Sequence, residues 1–164
     1  MRIGQTIRES FECSDLIEYT TEANPGTVTK EHLTAWQQMG INRVSLGLQS
    51  AVNEELSMLG RIHTYEQFLE TYHQVRESGI DNINVDVMAA IPGQTMESYQ
   101  KTLRRIVKLQ PEHISSYSLI VEPGTVFGDW EENGTLNRPN EETDRAMYQW
   151  TKRFLDENGY HRYE

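Results

Sequence analysis

The 164-residue sequence has a single cysteine, Cys13, no long apolar run and no excess of basic residues. One cysteine excludes an internal disulfide, and it excludes a cysteine-rich metal or cluster site built by this chain alone. No apolar run approaches the length that spans a bilayer, so membrane insertion is not expected. Acidic residues outnumber basic ones by 25 to 15, and the net charge of −10 argues against nucleic acid or an anionic membrane as the main partner. The sequence does not open with a basic, apolar and small-residue leader, which predicts a cytoplasmic protein rather than an exported one.

Familiar nucleotide-binding and catalytic motifs are also absent. There is no G-x-G-x-x-G or G-x-x-x-x-G-K-[ST] loop, no G-x-S-x-G elbow, no H-E-x-x-H and no paired-cysteine spacing. No residue of this chain is therefore assigned to a metal or to a catalytic role. The lysines at 101, 108 and 152 lie in predicted helices, which lowers the case for a Schiff-base aldolase.

Strand-like and helix-like segments alternate along the chain. Strands are predicted at residues 17–23, 43–49, 82–88 and 113–120, and a fifth begins at 160–163. The intervening helices are predicted to start after the capping residues Thr29, Asn53, Thr64, Thr95 and Asn140. Strands joined by helical crossovers pair in parallel, so the fold class is α/β.

Each predicted strand has a polar side, because side chains alternate along a strand. Val44, Leu46 and Leu48 point one way in the second strand. The polar positions of the four strands, in order, are Glu18, Thr20 and Glu22; Ser45, Gly47 and Gln49; Asn84 and Asp86; and Ser116 and Ser118. Two interpretations follow: an open sheet with one solvent face, or a barrel whose polar interior holds a polar ligand.

Glu22, Gln49 and Asp86 lie at or near the carboxyl ends of three strands, where α/β barrels and open sheets place their sites. The two carboxylates can accept hydrogen bonds from an ammonium group or from sugar hydroxyls, and the amide can both donate and accept. Arg61 can meet a carboxylate bidentately, although a surface arginine is the simpler interpretation of Arg61 alone. His63 is a further candidate because it is close to Arg61. Together these groups are compatible with a zwitterionic, ribose-bearing ligand.

The loop at residues 91–95 follows the third strand directly and leads into a helix capped by Thr95. Its backbone amides could receive an anion at the start of that helix. The alternative is a tight strand-to-helix loop with no ligand.

Five blocks of the sequence resemble successive segments of one family. They are residues 22–27, 42–50, 59–63, 82–86 with 91–95, and 111–119 with 122–125. The family is the radical S-adenosylmethionine (SAM) enzymes related to oxygen-independent coproporphyrinogen III oxidase. The Gln49-Ser50 pair and the Leu-Gly-Arg-x-His block at 59–63 resemble its heme-chaperone branch more than the true oxidase.

The resemblance implies a partial parallel (β/α) barrel of radical-SAM type, of which this chain supplies about four to five βα units. It implies that S-adenosylmethionine lies across the carboxyl ends of the strands, on positions matched by Glu22, Gln49, Arg61 and Asp86. Ile120 matches an apolar position that packs by the adenine. A role in heme or porphyrin metabolism follows, with heme or porphyrin as a further partner.

The departure from the family is large. Its members bind a [4Fe–4S] cluster through three thiolates of a C-x-x-x-C-x-x-C loop, and this chain has no such loop. Cys13 lies before the first strand and is not a candidate ligand. Residues 1–164 are therefore expected to be a single partial core domain, an internal piece that lacks the cluster loop and the C-terminal domain. The cluster is expected only in the full-length protein, and this chain alone is expected to be inactive.

Three functional hypotheses remain. The full-length protein is a radical-SAM heme chaperone, or alternatively a true coproporphyrinogen III dehydrogenase. If the chain is expressed as it stands, it is a non-catalytic binding or interaction piece that forms a homodimer through exposed sheet edges. The third is an unrelated α/β barrel enzyme that uses Glu22 and Asp86 for acid–base chemistry.

Overall fold

The computed structural model describes residues 2–163, which form one four-stranded sheet with helices. The strands are β1 (Thr20–Ala23), β2 (Arg43–Gln49), β3 (Asn82–Ala89) and β4 (His113–Ser118). The helices are α1 (Arg2–Ser10), α2 (Lys30–Met39), α3 (Asn53–Met58), α4 (Tyr65–Glu77), α5 (Met96–Val107), α6 (Val126–Glu132) and α7 (Glu141–Glu157). No described helix combines the length and the apolar character needed to cross a membrane.

The strands lie side by side in chain order, β1-β2-β3-β4, and each pairs in parallel with the next. A doubly wound sheet reverses its strand order at a switch point, whereas a barrel does not. With crossovers of one hand, an unreversed order keeps the connecting helices on one side of the sheet. The predicted α/β class is confirmed, and the order favours a barrel wall over a doubly wound sheet.

The helical side of the sheet carries the core. Val44, Leu46 and Leu48 of β2 are fully buried, together with the alternate residues Ile83, Val85 and Val87 of β3. They pack with the buried side chains of α4, α5 and α7: Phe68, Tyr72, Val75, Tyr99, Leu103, Ile106 and Met147. This packing fixes the sheet and leaves the other alternate positions of each strand on the side away from the helices.

Four of the five predicted helix caps are confirmed. Thr29, Thr64, Thr95 and Asn140 each accept a hydrogen bond from the backbone amide three residues later. The prediction for Asn53 is wrong, because Val52 precedes the helix and makes no side-chain cap. The Asn53 amide instead accepts from the backbone of Tyr65 at 2.9 Å and donates to Glu66 at 3.1 Å, which ties α3 to α4.

Strand ends differ from prediction for identifiable reasons. Residues 17–19 stay out of β1 because the Asn42 side chain bonds the Ile17 carbonyl and the Tyr19 amide, both at 2.8 Å. β4 ends at Ser118, so Ile120 lies outside it. Residues 160–163 are not a strand, and the Tyr160 amide instead bonds the Leu155 carbonyl at the end of α7. The predicted loop before α7 contains the short helix α6.

Candidate functional site

The side of the sheet away from the helices, here called the polar face, carries a hydrogen-bonded row of side chains. The strand register sets Ser45 of β2 opposite Asn84 of β3. The Asn84 amide nitrogen donates to Ser45 Oγ and to Asp86 Oδ1, both at 2.7 Å. Ser45 Oγ in turn donates to Asp86 Oδ2 at 3.2 Å. Both carboxylate oxygens of Asp86 are thus held in place by neighbours, while each keeps a free lone pair.

The row continues onto β4. Ser115 Oγ donates to Asn84 Oδ1 at 3.1 Å, and His113 Nδ1 lies 2.5 Å from the same oxygen. Because the Asn84 nitrogen already donates twice, its oxygen is the acceptor, and His113 carries a proton on Nδ1 in this arrangement. Ser45, Asn84, His113 and Ser115 therefore form one hydrogen-bonded network that reaches Asp86.

The predicted polar side of the fourth strand is wrong by one residue. Ser116 Oγ lies 3.0 Å from the hydroxyl of Tyr99 in α5, and Ser118 donates to Asp144 of α7 at 2.6 Å. Both serines therefore face the helices, because Ile114 packs against the core and shares their side of the strand. His113, Ser115 and Tyr117 occupy the polar face instead.

Gln49 ends β2 in an unusual conformation. Its φ is +74°, a left-handed value that is rare outside glycine, and the ladder between β2 and β3 is irregular between Leu46 and Gln49. The side chain is buried, and its Oε1 accepts a hydrogen bond of 2.9 Å from the Tyr117 hydroxyl. The irregularity thus brings a side chain of β2 into contact with β4, across β3.

Tyr117 is a residue of the candidate site that the sequence did not predict. Burial raises the pKa of its phenol, and the carboxylates of Asp86 and Glu22 raise this pKa further. The hydrogen bond to Gln49 and the positive charge of Arg61 act in the opposite direction. Four of the predicted site residues thus lie close enough to influence one phenol. Tyr117 lies within the 111–119 block, and the correct alternation of β4 would have pointed to it.

Arg61 and Glu22 lie at the end of the sheet where the strands have their carboxyl termini, here called the carboxyl edge. Arg61 Nη1 donates to Asn24 Oδ1 at 3.0 Å, which joins the segment after α3 to the turn after β1. Glu22 is exposed on β1 and pairs in register with Ser45. A Cβ on Gly47 would lie 3.3 Å from Gln49 Nε2, so the glycine leaves room for that amide. The guanidinium of Arg61 and the carboxylate of Glu22 therefore both lie at the carboxyl edge.

The two remaining candidates differ in position. His63 is buried with Nε2 3.4 Å from the Leu48 carbonyl, and burial lowers the pKa of its imidazole, with Arg61 adding to the effect. It therefore supports the end of β2 as a neutral ring. Ile120 is 76% exposed and lies two residues after β4, so its predicted contact with adenine stays a prediction.

The loop at 91–95 uses its own backbone amides. The amide of Gly93 donates to Asn137, that of Gln94 to Ile91, and that of Thr95 to the Ser98 hydroxyl, at 2.7, 2.9 and 3.0 Å. An anion would have to displace these bonds. The structure therefore favours the tight-loop interpretation.

The described residues do not fit an iron–sulfur cluster. Cys13 lies between α1 and β1, and its Sγ is 3.5 Å from the Phe11 carbonyl. Across residues 2–163, no three side chains among His, Cys, Asp and Glu are grouped to hold a metal ion. The donor set at the carboxyl edge, two carboxylates, an amide and a guanidinium, fits an organic zwitterion instead.

Comparison with known proteins identifies close similarities. Residues 5–106 match the family profile described as Radical SAM superfamily. The heme chaperone HemW of Lactococcus lactis subsp. lactis is 36% identical over 163 residues, which cover 99% of this chain and 43% of that protein. The mitochondrial radical S-adenosyl methionine domain-containing protein 1 of Danio rerio is also 36% identical, over 98% of this chain and 36% of its own length.

A solved structure shares the fold. Coproporphyrinogen III oxidase (HemN) from Escherichia coli, described as a Radical SAM enzyme, superposes with a TM-score of 0.82 at 25% identity. The match covers 98% of this chain and 37% of that one. It confirms the predicted barrel-type fold, and the chain spans less than half the length of each of these relatives.

Proposed function

The chain belongs to the Radical SAM superfamily, as the sequence blocks predicted, and on this premise we propose that its carboxyl edge binds S-adenosylmethionine. The family implies this molecule and a [4Fe–4S] cluster as cofactors. Bound at a reduced cluster, the cofactor supplies hydrogen-abstracting radical chemistry. The residues described here fit the organic cofactor and not the cluster, so the proposal concerns only how the cofactor is held.

Each side chain has a role set by its chemistry. Arg61 binds the carboxylate of the methionine part, since a guanidinium offers two parallel donors. Glu22 and Asp86 accept from the ammonium group and the ribose hydroxyls, and Gln49 donates its amide hydrogens while Tyr117 occupies its oxygen. Ile120 lies beside the adenine.

One observation supports the proposal: Gln49 of β2 bonds the Tyr117 hydroxyl, and the charges of Glu22, Asp86 and Arg61 act on the same phenol. Their combined chemistry matches a zwitterion with sugar hydroxyls. Asp86 is also oriented in advance by Ser45 and Asn84, so little ordering is needed when a ligand arrives.

The test is titration of S-adenosylmethionine into the full chain by isothermal calorimetry. Asp86→Asn keeps the shape of the side chain but removes its charge, and it should weaken binding about tenfold or more because charge-assisted hydrogen bonds are lost. Glu18→Gln is the matched control. Glu18 is an exposed carboxylate that precedes β1, far from the carboxyl ends of the strands, and it pairs with Arg43 at 3.7 Å.

Equal affinity of the Asp86→Asn variant and the native chain would refute the site. Absence of any binding heat from the native chain would refute the proposal that this chain holds the cofactor. An equal loss in Asp86→Asn and Glu18→Gln would show only a general effect of charge.

For the protein as a whole, we propose a heme-chaperone type of role in heme or porphyrin metabolism. The similarity to a protein named heme chaperone HemW over 99% of this chain supports it. The structural match to coproporphyrinogen III oxidase keeps porphyrinogen decarboxylation as the second candidate. We propose that the three cluster thiolates lie outside these residues. Heme transfer to an acceptor without decarboxylation of coproporphyrinogen III supports the chaperone role, and the reverse result supports the oxidase.

A further inference from the structure

Glu55 is a buried carboxylate in the first turn of α3, only 6% exposed. Its Oε2 accepts from Ser50 Oγ at 2.6 Å and from the Gln94 amide at 2.9 Å, and its Oε1 accepts from Ser98 Oγ at 2.5 Å. No lysine or arginine among residues 2–163 forms an ion pair with it. A carboxylate buried without a cation is costly, and neutral donors alone offset that cost here.

The three donors come from different parts of the fold. Ser50 directly follows β2, Gln94 lies in the loop after β3, and Ser98 is in the first turn of α5. Gln94 also donates to the Met88 carbonyl of β3 at 3.4 Å. Glu55 thus links the carboxyl ends of the two strands that carry Gln49 and Asp86.

The contact of Glu55 with Ser50 lies next to Gln49 in the chain. The left-handed φ of Gln49, +74°, is strained for a residue other than glycine and persists only where the surroundings hold it. The next residue, Ser50, is fully buried, and its Oγ both donates to Glu55 and accepts from the Val52 amide at 3.0 Å. Ser50 Oγ also lies 3.3 Å from Thr102 Oγ1 of α5. The backbone after Gln49 is therefore held on several sides.

We propose that Glu55 is a positioning residue of the cofactor site. By binding Ser50 and Gln94 it holds the ends of β2 and β3, so that the Gln49 amide keeps its place beside Tyr117. Outer groups of this kind orient the side chains that contact a ligand without touching it themselves. The inference rests on the proposed function, because the ligand of Gln49 is the proposed cofactor.

The first measurement is the affinity of the full chain for S-adenosylmethionine, with the thermal unfolding midpoint recorded for each variant. Glu55→Gln keeps the volume and removes the charge, and Ser50→Ala removes the donor next to Gln49. Each should weaken binding about tenfold. Tyr72→Phe is the matched control for lost stability. Its buried hydroxyl donates to the Leu109 carbonyl at 2.9 Å, at the amino edge of the sheet, so its affinity should equal that of the native chain.

The second measurement does not need the cofactor. The side-chain amide resonance of Gln49, assigned by its absence in Gln49→Glu, should shift in Glu55→Gln and Ser50→Ala but stay in Tyr72→Phe. If the native chain binds no S-adenosylmethionine and the resonance shifts, the proposed function fails and the positioning of Gln49 stands. An unmoved resonance in both variants overturns the positioning role, whatever the affinities. Unchanged affinity despite a shifted resonance overturns its link to the cofactor.

Discussion

On the polar face, Tyr117 sets the orientation of the Gln49 amide. Its hydroxyl donates to Gln49 Oε1, and this bond connects β4 to β2 across β3. Burial and the nearby Asp86 and Glu22 raise the pKa of the phenol, so it stays protonated and remains a donor at neutral pH. The Gln49 oxygen is then occupied, and the amide hydrogens are left for a ligand.

The replacement Tyr117→Phe tests whether the phenol hydroxyl orients Gln49 for binding. The ring is kept and the donor is lost, so Gln49 becomes free to rotate and the affinity for S-adenosylmethionine should fall about fivefold, the equivalent of one ordinary hydrogen bond. Calorimetric titration measures it. Tyr148→Phe, at a half-exposed tyrosine of α7, is the control that should bind as the native chain does. Unchanged affinity in Tyr117→Phe would contradict the role of the phenol.

The positions of individual candidate residues were predictable where strand ends alone identify them. Gln49 and Asp86 follow from the rule that α/β sites lie at carboxyl ends. Tyr117 did not follow, because alternation gives two opposite assignments for a strand whose apolar residues are few. Only the packing of Ile114 against the core decides between them.

At the scale of elements, capping chemistry defines where helices begin. Thr64 accepts from the Gln67 amide at 3.3 Å, and the Gln67 side chain accepts from the Thr64 amide at 2.8 Å. This reciprocal pair fixes the start of α4, which supplies Phe68, Tyr72 and Val75 to the core. A local sequence pattern therefore determines how a large apolar face meets the sheet.

Thr64→Ala should lower the free energy of unfolding by about 1 kcal/mol, the usual cost of losing a helix cap. For a domain of this size the thermal midpoint should fall by about 2–4 °C, measured by circular dichroism. Thr34→Ala makes the same chemical change inside α2, where the hydroxyl bonds only the Lys30 carbonyl, and it should cause no loss because alanine is the better helix former. The prediction fails if both variants unfold at the same temperature.

Caps were predictable because donor and acceptor lie three residues apart in the sequence. Strand ends were not, because they depend on distant partners. Asn42 withdraws the Ile17 carbonyl and the Tyr19 amide from β1 through contacts that span more than 20 residues. The same distinction explains Asn53, whose amide is taken by the start of α4 rather than by its own helix.

For the molecule as a whole, the sheet has two open edges. Within residues 2–163, β1 and β4 each pair on one side only. Unpaired edges favour association with a second copy, whereas a net charge of −10 keeps copies apart. The strand order that distinguishes a barrel wall from other α/β sheets could not be predicted, because it depends on contacts between distant segments that no local sequence pattern encodes.

The balance between these two effects should depend on salt. We expect the chain to be monomeric at low ionic strength and to form dimers at about 0.5 M salt, where charge repulsion is screened to within a few ångströms. Sedimentation velocity measures the shift. Ser116 is an exposed residue of the edge strand β4, and Ser116→Lys adds a charge there, with loss of the contact to Tyr99. It should lower the dimer fraction, while Ser57→Lys on α3 makes the same charge change away from the edges. A monomer at both salt concentrations would contradict the expectation.

The backbone of Gln49 has a consequence for engineering. At φ +74° glycine is the residue with the least strain, so a search for thermostable variants would select Gln49→Gly. That exchange would delete the one side chain that joins β2 to Tyr117. Optimising this fold for heat resistance alone would therefore erase the proposed binding chemistry, and libraries built on the scaffold should keep position 49 unchanged.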